Sequence, residues 1–141
     1  MALINSAIGV ATKRMPKAVT PKGHAVIDYI TLGAFIVTWA LYWRPHKRAA
    51  LSAFICGGAE LALSLLTDYP GGVKKVISFP THCKVDIGLA AMTAAMPEFM
   101  GFKDDREKRF FLAQSAGITV ATNLTDVSGT REFEDRSLRA A

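Results

Sequence analysis

Four long segments of this 141-residue chain are almost free of charged residues, and they constrain its fold more than any other feature. The first two segments carry one acidic residue each, the third has an acidic residue near each end, and the fourth has none. About twenty helical residues cross the apolar core of a bilayer. The segments are therefore typical of membrane-spanning helices, which we expect over residues 24–43, 49–67, 82–101 and 108–125.

The few polar residues of the first two segments lie on one helix face. In the first segment they recur at spacings of four, three and seven, and in the second at spacings of four. A soluble bundle helix has a wide polar face instead. The pattern predicts an all-α fold, an integral membrane four-helix bundle with polar residues inside; the alternative is a soluble, alanine-rich bundle that oligomerises. These two polar seams are His24, Asp28, Thr31 and Thr38, then Ser52, Cys56, Glu60, Ser64 and Asp68.

The chain also resembles itself after a shift of 58 residues. Residues 24–72 and 82–130 share seven identities in 49 positions, mostly an H-x3-D pattern at the start and L-T-D near the end. Basic loops at 44–48 and 102–109 are short enough to make each unit an antiparallel helical hairpin. The competing explanation is that the ends of membrane helices simply favour polar residues. The predicted organisation is a basic N-terminal tail (1–23), a membrane domain (24–130) and a C-terminal tail (131–141).

A proline lies near the end of the third segment, in the sequence MPEFMGF, where Pro97 is followed by Gly101 and Phe102. Together with the hairpin layout, this sequence resembles the SPW-repeat group of small membrane proteins, whose motif is Ser-Pro-Trp followed by Gly and an apolar residue. Met96 and Glu98 stand where that motif has Ser and Trp. The resemblance implies an integral membrane protein built from hairpins, and it implies no role for the His and Asp residues.

Six ionisable residues are expected to meet at the end of the bundle that carries both termini. Each repeat supplies a His, an Asp one turn later on the same helix face, and an Asp at the end of the returning helix. Carboxylates at this depth cost free energy unless they are paired, protonated or bound to a cation. The six residues are His24, Asp28, Asp68, His82, Asp86 and Asp126.

Four interpretations of this group compete. In the first, each His donates to an Asp across the hairpin, in a structural or accessory membrane subunit. In the second, the group binds a divalent metal such as zinc, iron or manganese, which imidazole and carboxylate suit. In the third, a b-type haem lies between His24 and His82. In the fourth, the group is part of a proton or cation path, with Glu60 as a proton relay about 12 Å deeper along its helix.

Several function classes are disfavoured. The sequence lacks a phosphate-binding loop, a nucleophile elbow and a dinucleotide fingerprint, so we do not expect an enzyme. The basic residues that give the chain its net charge of +5 lie at or beyond the ends of the apolar segments, so no nucleic-acid partner is expected. Cys56 and Cys83 are too few for a disulfide framework and are expected to be free thiols.

The expected partners are the lipid bilayer and either further copies of this chain or a larger membrane complex. The tails and the loop joining the repeats carry ten basic residues, against seven in the two hairpin loops. By the positive-inside rule, this count favours both termini in the cytoplasm, whereas the local density of basic residues favours the hairpin loops there instead. We expect the protein in the cell (inner) membrane.

Overall fold

Four helices make up most of the structure, a computed structural model that describes residues 16–128. They begin and end within three residues of the predicted ranges. The predicted tails over 1–15 and 131–141, and the repeat position Gly129, lie outside the described residues. The helices are α1 (Pro21–Tyr42), α2 (Lys47–Leu66), α3 (Phe79–Phe99) and α4 (Lys108–Leu124).

The first helix of each predicted repeat begins about one turn earlier than the sequence indicates. Thr20 caps α1, because its hydroxyl accepts a hydrogen bond from the backbone N–H of Gly23 at 3.1 Å. Pro21 follows at the first helical position, where its missing N–H has no cost. The first three residues of α1 therefore belong to the segment that was predicted to be tail. In α3 the corresponding first turn runs from Phe79.

The helices pack as two hairpins, α1 against α2 and α3 against α4. Gly57 of α2 lies where α1 comes closest, since a Cβ added there would be 3.0 Å from the Cβ of Phe35. The two hairpin loops touch each other, because the guanidinium of Arg48 donates to the carbonyl of Gly101 at 3.1 Å. Gly101 has a φ of +72°, a backbone conformation that favours glycine. We call this end of the bundle the loop end.

Two short parallel pairings tie the helices together at the opposite end. Strand β1 (Thr67–Asp68), directly after α2, pairs with β2 (Ile77–Ser78), directly before α3. A single parallel bridge joins Val19, before α1, to Thr125, after α4. Each pairing places the start of one helix beside the end of another. The polar ends of all four helices therefore meet at this end, which we call the termini end.

The first two helices bury their polar seams beside apolar core residues such as Phe35 and Ala53, and much of their outer surface is apolar. Every residue of the two predicted polar seams is buried except Asp68. Large aliphatic side chains face outwards instead, with Ile30 and Leu41 of α1 67% and 68% exposed. Of the four described helices, α1 and α2 are long and apolar enough to cross a membrane, so two of the four predicted spans are supported by length and composition. Cys56 and Cys83 are buried free thiols, as expected.

Candidate metal centre

Four of the six predicted residues meet at the termini end. His24 and Asp28 lie one turn apart on α1, and His82 and Asp86 lie one turn apart on α3. All four side chains are buried, with exposed fractions of 5% or less. Each offers one nitrogen or oxygen atom, and these atoms lie within 4.8 Å of one another. We call these four residues the His/Asp cluster.

Each imidazole faces both carboxylates through its Nε2 atom. His24 Nε2 lies 3.3 Å from an oxygen of Asp28 and 3.0 Å from Asp86 Oδ2. His82 Nε2 lies 3.2 Å from Asp28 Oδ2 and 3.2 Å from Asp86 Oδ2. The two Nε2 atoms are themselves 3.2 Å apart. Each histidine therefore contacts the aspartate of its own helix and the aspartate of the other hairpin.

The opposite ring nitrogen of each histidine contacts a threonine at the end of the other hairpin. His24 Nδ1 lies 2.7 Å from the hydroxyl of Thr125, and that hydroxyl donates to the carbonyl of Ala121. His82 Nδ1 lies 2.8 Å from the hydroxyl of Thr67, which donates to the carbonyl of Leu63. Because each hydroxyl proton goes to a carbonyl, the hydroxyl oxygen accepts from the ring, and Nδ1 carries the proton.

The position of the ring protons determines how the charges of the His/Asp cluster can be balanced. A neutral ring with its proton on Nδ1 presents a lone pair at Nε2. With both rings neutral, two lone pairs and two carboxylates would face one another, which is repulsive. Two protons would make both rings imidazolium, but their N–H groups would then repel each other across 3.2 Å, whereas one divalent cation can lie between all four groups. In either case two positive charges balance two negative ones.

The two carboxylates are supported unequally. Asp28 Oδ2 accepts from the hydroxyl of Tyr69 at 2.8 Å. Asp86 Oδ2 accepts from the hydroxyl of Thr122 at 3.2 Å. The other oxygen of Asp86 is buried and has no hydrogen-bond partner within residues 16–128. Buried polar atoms are rarely left unpaired, so Asp86 Oδ1 marks an acceptor position that a ligand can fill.

Asp68 and Asp126, the other two predicted residues, are not brought into the cluster. The backbone leaves the helix at the preceding threonine, where φ and ψ are −87° and 140° at Thr67 and −78° and 132° at Thr125. Successive side chains of an extended chain point to opposite sides. The threonines therefore point inwards and the aspartates outwards. The prediction had assumed that the aspartates share the inward face of the helix.

Both outward aspartates have partners of their own. Asp68 is exposed and lies 3.2 Å from Lys75 Nζ. Asp126 accepts hydrogen bonds from the hydroxyl and the backbone N–H of Ser128, and these two bonds lower the pKa of its carboxyl. Neither residue contributes to the candidate centre.

Glu60 is buried on α2, with an exposed fraction of 1%. Its carboxyl interacts electrostatically with Asp28, Asp86 and His82, so it belongs to the surroundings of the cluster. Its role as a proton relay stays a prediction.

The supporting hydroxyls were not assigned to the histidines from the sequence. Thr67 and Thr125 are identical residues at equivalent repeat positions, which was the one available signal for them. Tyr69 has Val127 at its equivalent position and Thr122 has Ser64, so the repeat gave no signal for these two.

A haem between the two histidines does not fit the observed spacing. In that arrangement the porphyrin ring must lie in the space between the two axial nitrogens. Here that space is bordered by oxygens of Asp28 and Asp86, at 3.0 to 3.3 Å from the nitrogens. The geometry therefore favours a small ion over a planar macrocycle.

Comparisons with protein-family models, with curated proteins and with solved structures found no match. The resemblance to the SPW-repeat group stays a prediction.

Proposed function

We propose that this chain is an integral membrane four-helix bundle that holds one divalent transition-metal ion between its two hairpins. The observation that carries the proposal is the commitment of both Nδ1 atoms to threonine hydroxyls, which leaves both Nε2 atoms facing two carboxylates. Two imidazole nitrogens and two carboxylates suit zinc, iron or manganese. Each hairpin supplies one of each ligand, so the ion would join them.

The spacing of the ligand atoms supports this proposal. Ligands about 2.0 to 2.1 Å from a tetrahedral zinc ion lie about 3.3 Å from one another. The nitrogen–nitrogen and nitrogen–oxygen separations in the cluster are 3.0 to 3.3 Å when both oxygens of Asp28 are counted, and the four ligand atoms taken one per residue lie within 4.8 Å of one another. The threonines would act as the outer hydrogen-bond partners that metal-binding histidines almost always have.

The membrane part of the proposal is supported by the distribution of polar residues. The polar seams of α1 and α2 face the interior, and aliphatic side chains face outwards. Lipid around the bundle accounts for this arrangement, because polar residues in a membrane face the interior. Trp39, Tyr42 and Trp43 lie together at the loop end of α1, as aromatic residues do at a membrane boundary.

The internal duplication is part of the same proposal. Thr67 and Thr125, 58 residues apart, make equivalent bonds to His82 and His24, which are also 58 residues apart. The pairings of Thr67 with Ile77 and of Thr125 with Val19 follow the same offset. Two units that exchange these contacts support an origin as two parallel repeats.

A structural or accessory membrane subunit without metal is the second candidate. It is favoured by the short distances between hairpins, 3.0 Å from His24 to Asp86 and 3.2 Å from His82 to Asp28. With both rings protonated, these contacts alone would hold the hairpins together.

Elemental analysis of protein purified in detergent from carbonate-washed membranes tests the proposal. We expect the protein to stay with the membranes and to contain one transition-metal ion per chain. His24→Ala and Asp86→Asn should both lose the ion. Asp68→Asn is the matched control and should keep it, because Asp68 lies outside the cluster.

Two results would decide against parts of the proposal. Release by the carbonate wash as a monodisperse protein would refute the membrane assignment. Metal-free wild type, with both cluster variants merely less heat-stable, would leave the hydrogen-bonded structural role.

A further inference from the structure

A second polar site lies at the loop end, away from the His/Asp cluster. The two hairpin loops enclose a cavity of about 470 Å³. Its charged lining comprises three cations, Arg44, Lys47 and Arg48, and the two carboxylates of Asp105 and Glu107, with His46 beside Glu107. We call it the loop-end cavity.

Glu107 is the unusual member of this lining. It is 5% exposed, and one of its oxygens lies 3.3 Å from Nε2 of His46. The other oxygen, Oε2, is buried and has no hydrogen-bond partner in the described part of the chain. An unpaired, buried carboxylate oxygen costs free energy. A hydrogen-bond donor would remove this cost, and a charged donor would form the strongest bond.

The three cations attract an anionic group. Arg44, Lys47 and Arg48 are exposed at the rim, and Arg48 is held in place by its bond to Gly101. The α2 helix begins here, and its N-cap residue His46 makes no side-chain capping bond. Helix N-termini carry positive potential and bind phosphate groups. The three cations outnumber the one exposed carboxylate of the lining, Asp105, so the rim favours an anion.

We propose that the loop-end cavity binds a phosphoethanolamine group, supplied by the headgroup of a membrane lipid. The primary ammonium would donate to Glu107, and the phosphate would lie against Arg44, Lys47 and Arg48. A phosphate alone would leave Glu107 unpaired, and a simple cation would face three like charges. A group with both charges satisfies both halves of the cavity.

The chemistry also selects among lipid headgroups. A primary ammonium has three N–H donors. The trimethylammonium of phosphocholine has none, so it cannot pair with Glu107 Oε2 by a hydrogen bond. The lipid source rests on the proposed membrane location, since the hairpin loops would then lie at headgroup level.

Native mass spectrometry of the detergent-solubilised full chain tests this. Phosphatidylethanolamine and phosphatidylcholine with the same acyl chains are added in turn. Loss of a charge-assisted hydrogen bond weakens binding by about tenfold, so we expect phosphatidylethanolamine to bind about ten times more tightly. Glu107→Gln should abolish this preference. Asp104→Asn, an exposed loop substitution outside the cavity lining, should preserve it.

Arg44→Ala provides a second variant, which should weaken binding of both lipids because it acts on the shared phosphate. Equal binding of the two lipids to the wild type, or a preference that survives in Glu107→Gln, would overturn the proposal. Binding of free phosphoethanolamine without binding of either lipid would overturn the lipid source.

Metal content measured on the same preparations keeps this proposal separate from the proposed function. Glu107→Gln should retain the metal of the wild type, which also shows that the variant is folded. If carbonate washing releases the protein, binding of free phosphoethanolamine to the wild type and to Glu107→Gln still tests the chemistry of the cavity.

Discussion

Two threonine hydroxyls decide which nitrogen of each buried histidine faces the carboxylates. Thr67→Val and Thr125→Val keep the shape of the side chain and remove the acceptor for Nδ1–H. We expect each to weaken metal binding by about 10- to 100-fold, the usual effect of losing such an outer partner. Competition with a coloured chelator measures the affinity.

Thr119→Val is the control for both threonine variants. Thr119 also donates its hydroxyl to the carbonyl four residues earlier, Ser115, without contacting a histidine. Equal weakening in Thr119→Val would show that the effect comes from the helix backbone and not from the ring nitrogen.

Tyr69 holds one of the two aspartates from outside the cluster. Tyr69→Phe removes its hydrogen bond to Asp28 and leaves the ring. We expect about tenfold weaker metal binding with little change in secondary structure, because an unsupported carboxylate is less well oriented. Titration calorimetry measures this. Tyr29 donates its hydroxyl to the carbonyl of Gly71 and not to the cluster. The control variant Tyr29→Phe should therefore bind metal as the wild type does.

At the scale of the elements, the contact between α1 and α2 depends on one of two adjacent glycines. Gly57→Ala would place a Cβ 3.0 Å from Phe35, whereas Gly58→Ala would meet no atom within 4 Å. We expect Gly57→Ala to lower stability by about 1 to 3 kcal/mol through overpacking. Gly58→Ala should leave it unchanged or raise it by up to about 1 kcal/mol, since alanine favours helix. Thermal unfolding in detergent compares them; equal effects would exclude the close approach as the cause.

The elements also show what the sequence could and could not predict. His24 and Asp28 were predictable neighbours, because residues four apart share a helix face. The predicted inward orientation of the Asp68 side chain is wrong. The backbone changes from helix to extended at Thr67, and this change turns the next side chain to the opposite side. The pairing of β1 with β2 was not predicted, since two-residue strands leave no periodic pattern. The Tyr69–Asp28 bond depends on that turn, and only the folded chain reveals it.

At the scale of the whole molecule, a divalent ion in the His/Asp cluster would take up the two Nε2 lone pairs that protons can also occupy. Protons and metal then compete, so metal affinity should fall as the pH falls. The fall should be up to about tenfold per pH unit for each proton released, because metal-bound histidine must be neutral. Calorimetry in two buffers of different ionisation enthalpy counts the protons. Binding without any proton release would contradict competition between protons and metal at the Nε2 atoms.

The same ion should couple the two hairpins into one unfolding unit, because each hairpin supplies half of the ligands. Metal that binds only the folded chain stabilises it by about 2.7 kcal/mol at a concentration 100 times its dissociation constant. We therefore expect the unfolding temperature to rise with metal concentration and to fall after chelation. Asp86→Asn should lose this dependence. Gly57→Ala should unfold at a lower temperature yet keep the full metal-dependent rise, since distant sites contribute additively. A rise of the same size in Asp86→Asn would place the stabilising ion outside the His/Asp cluster.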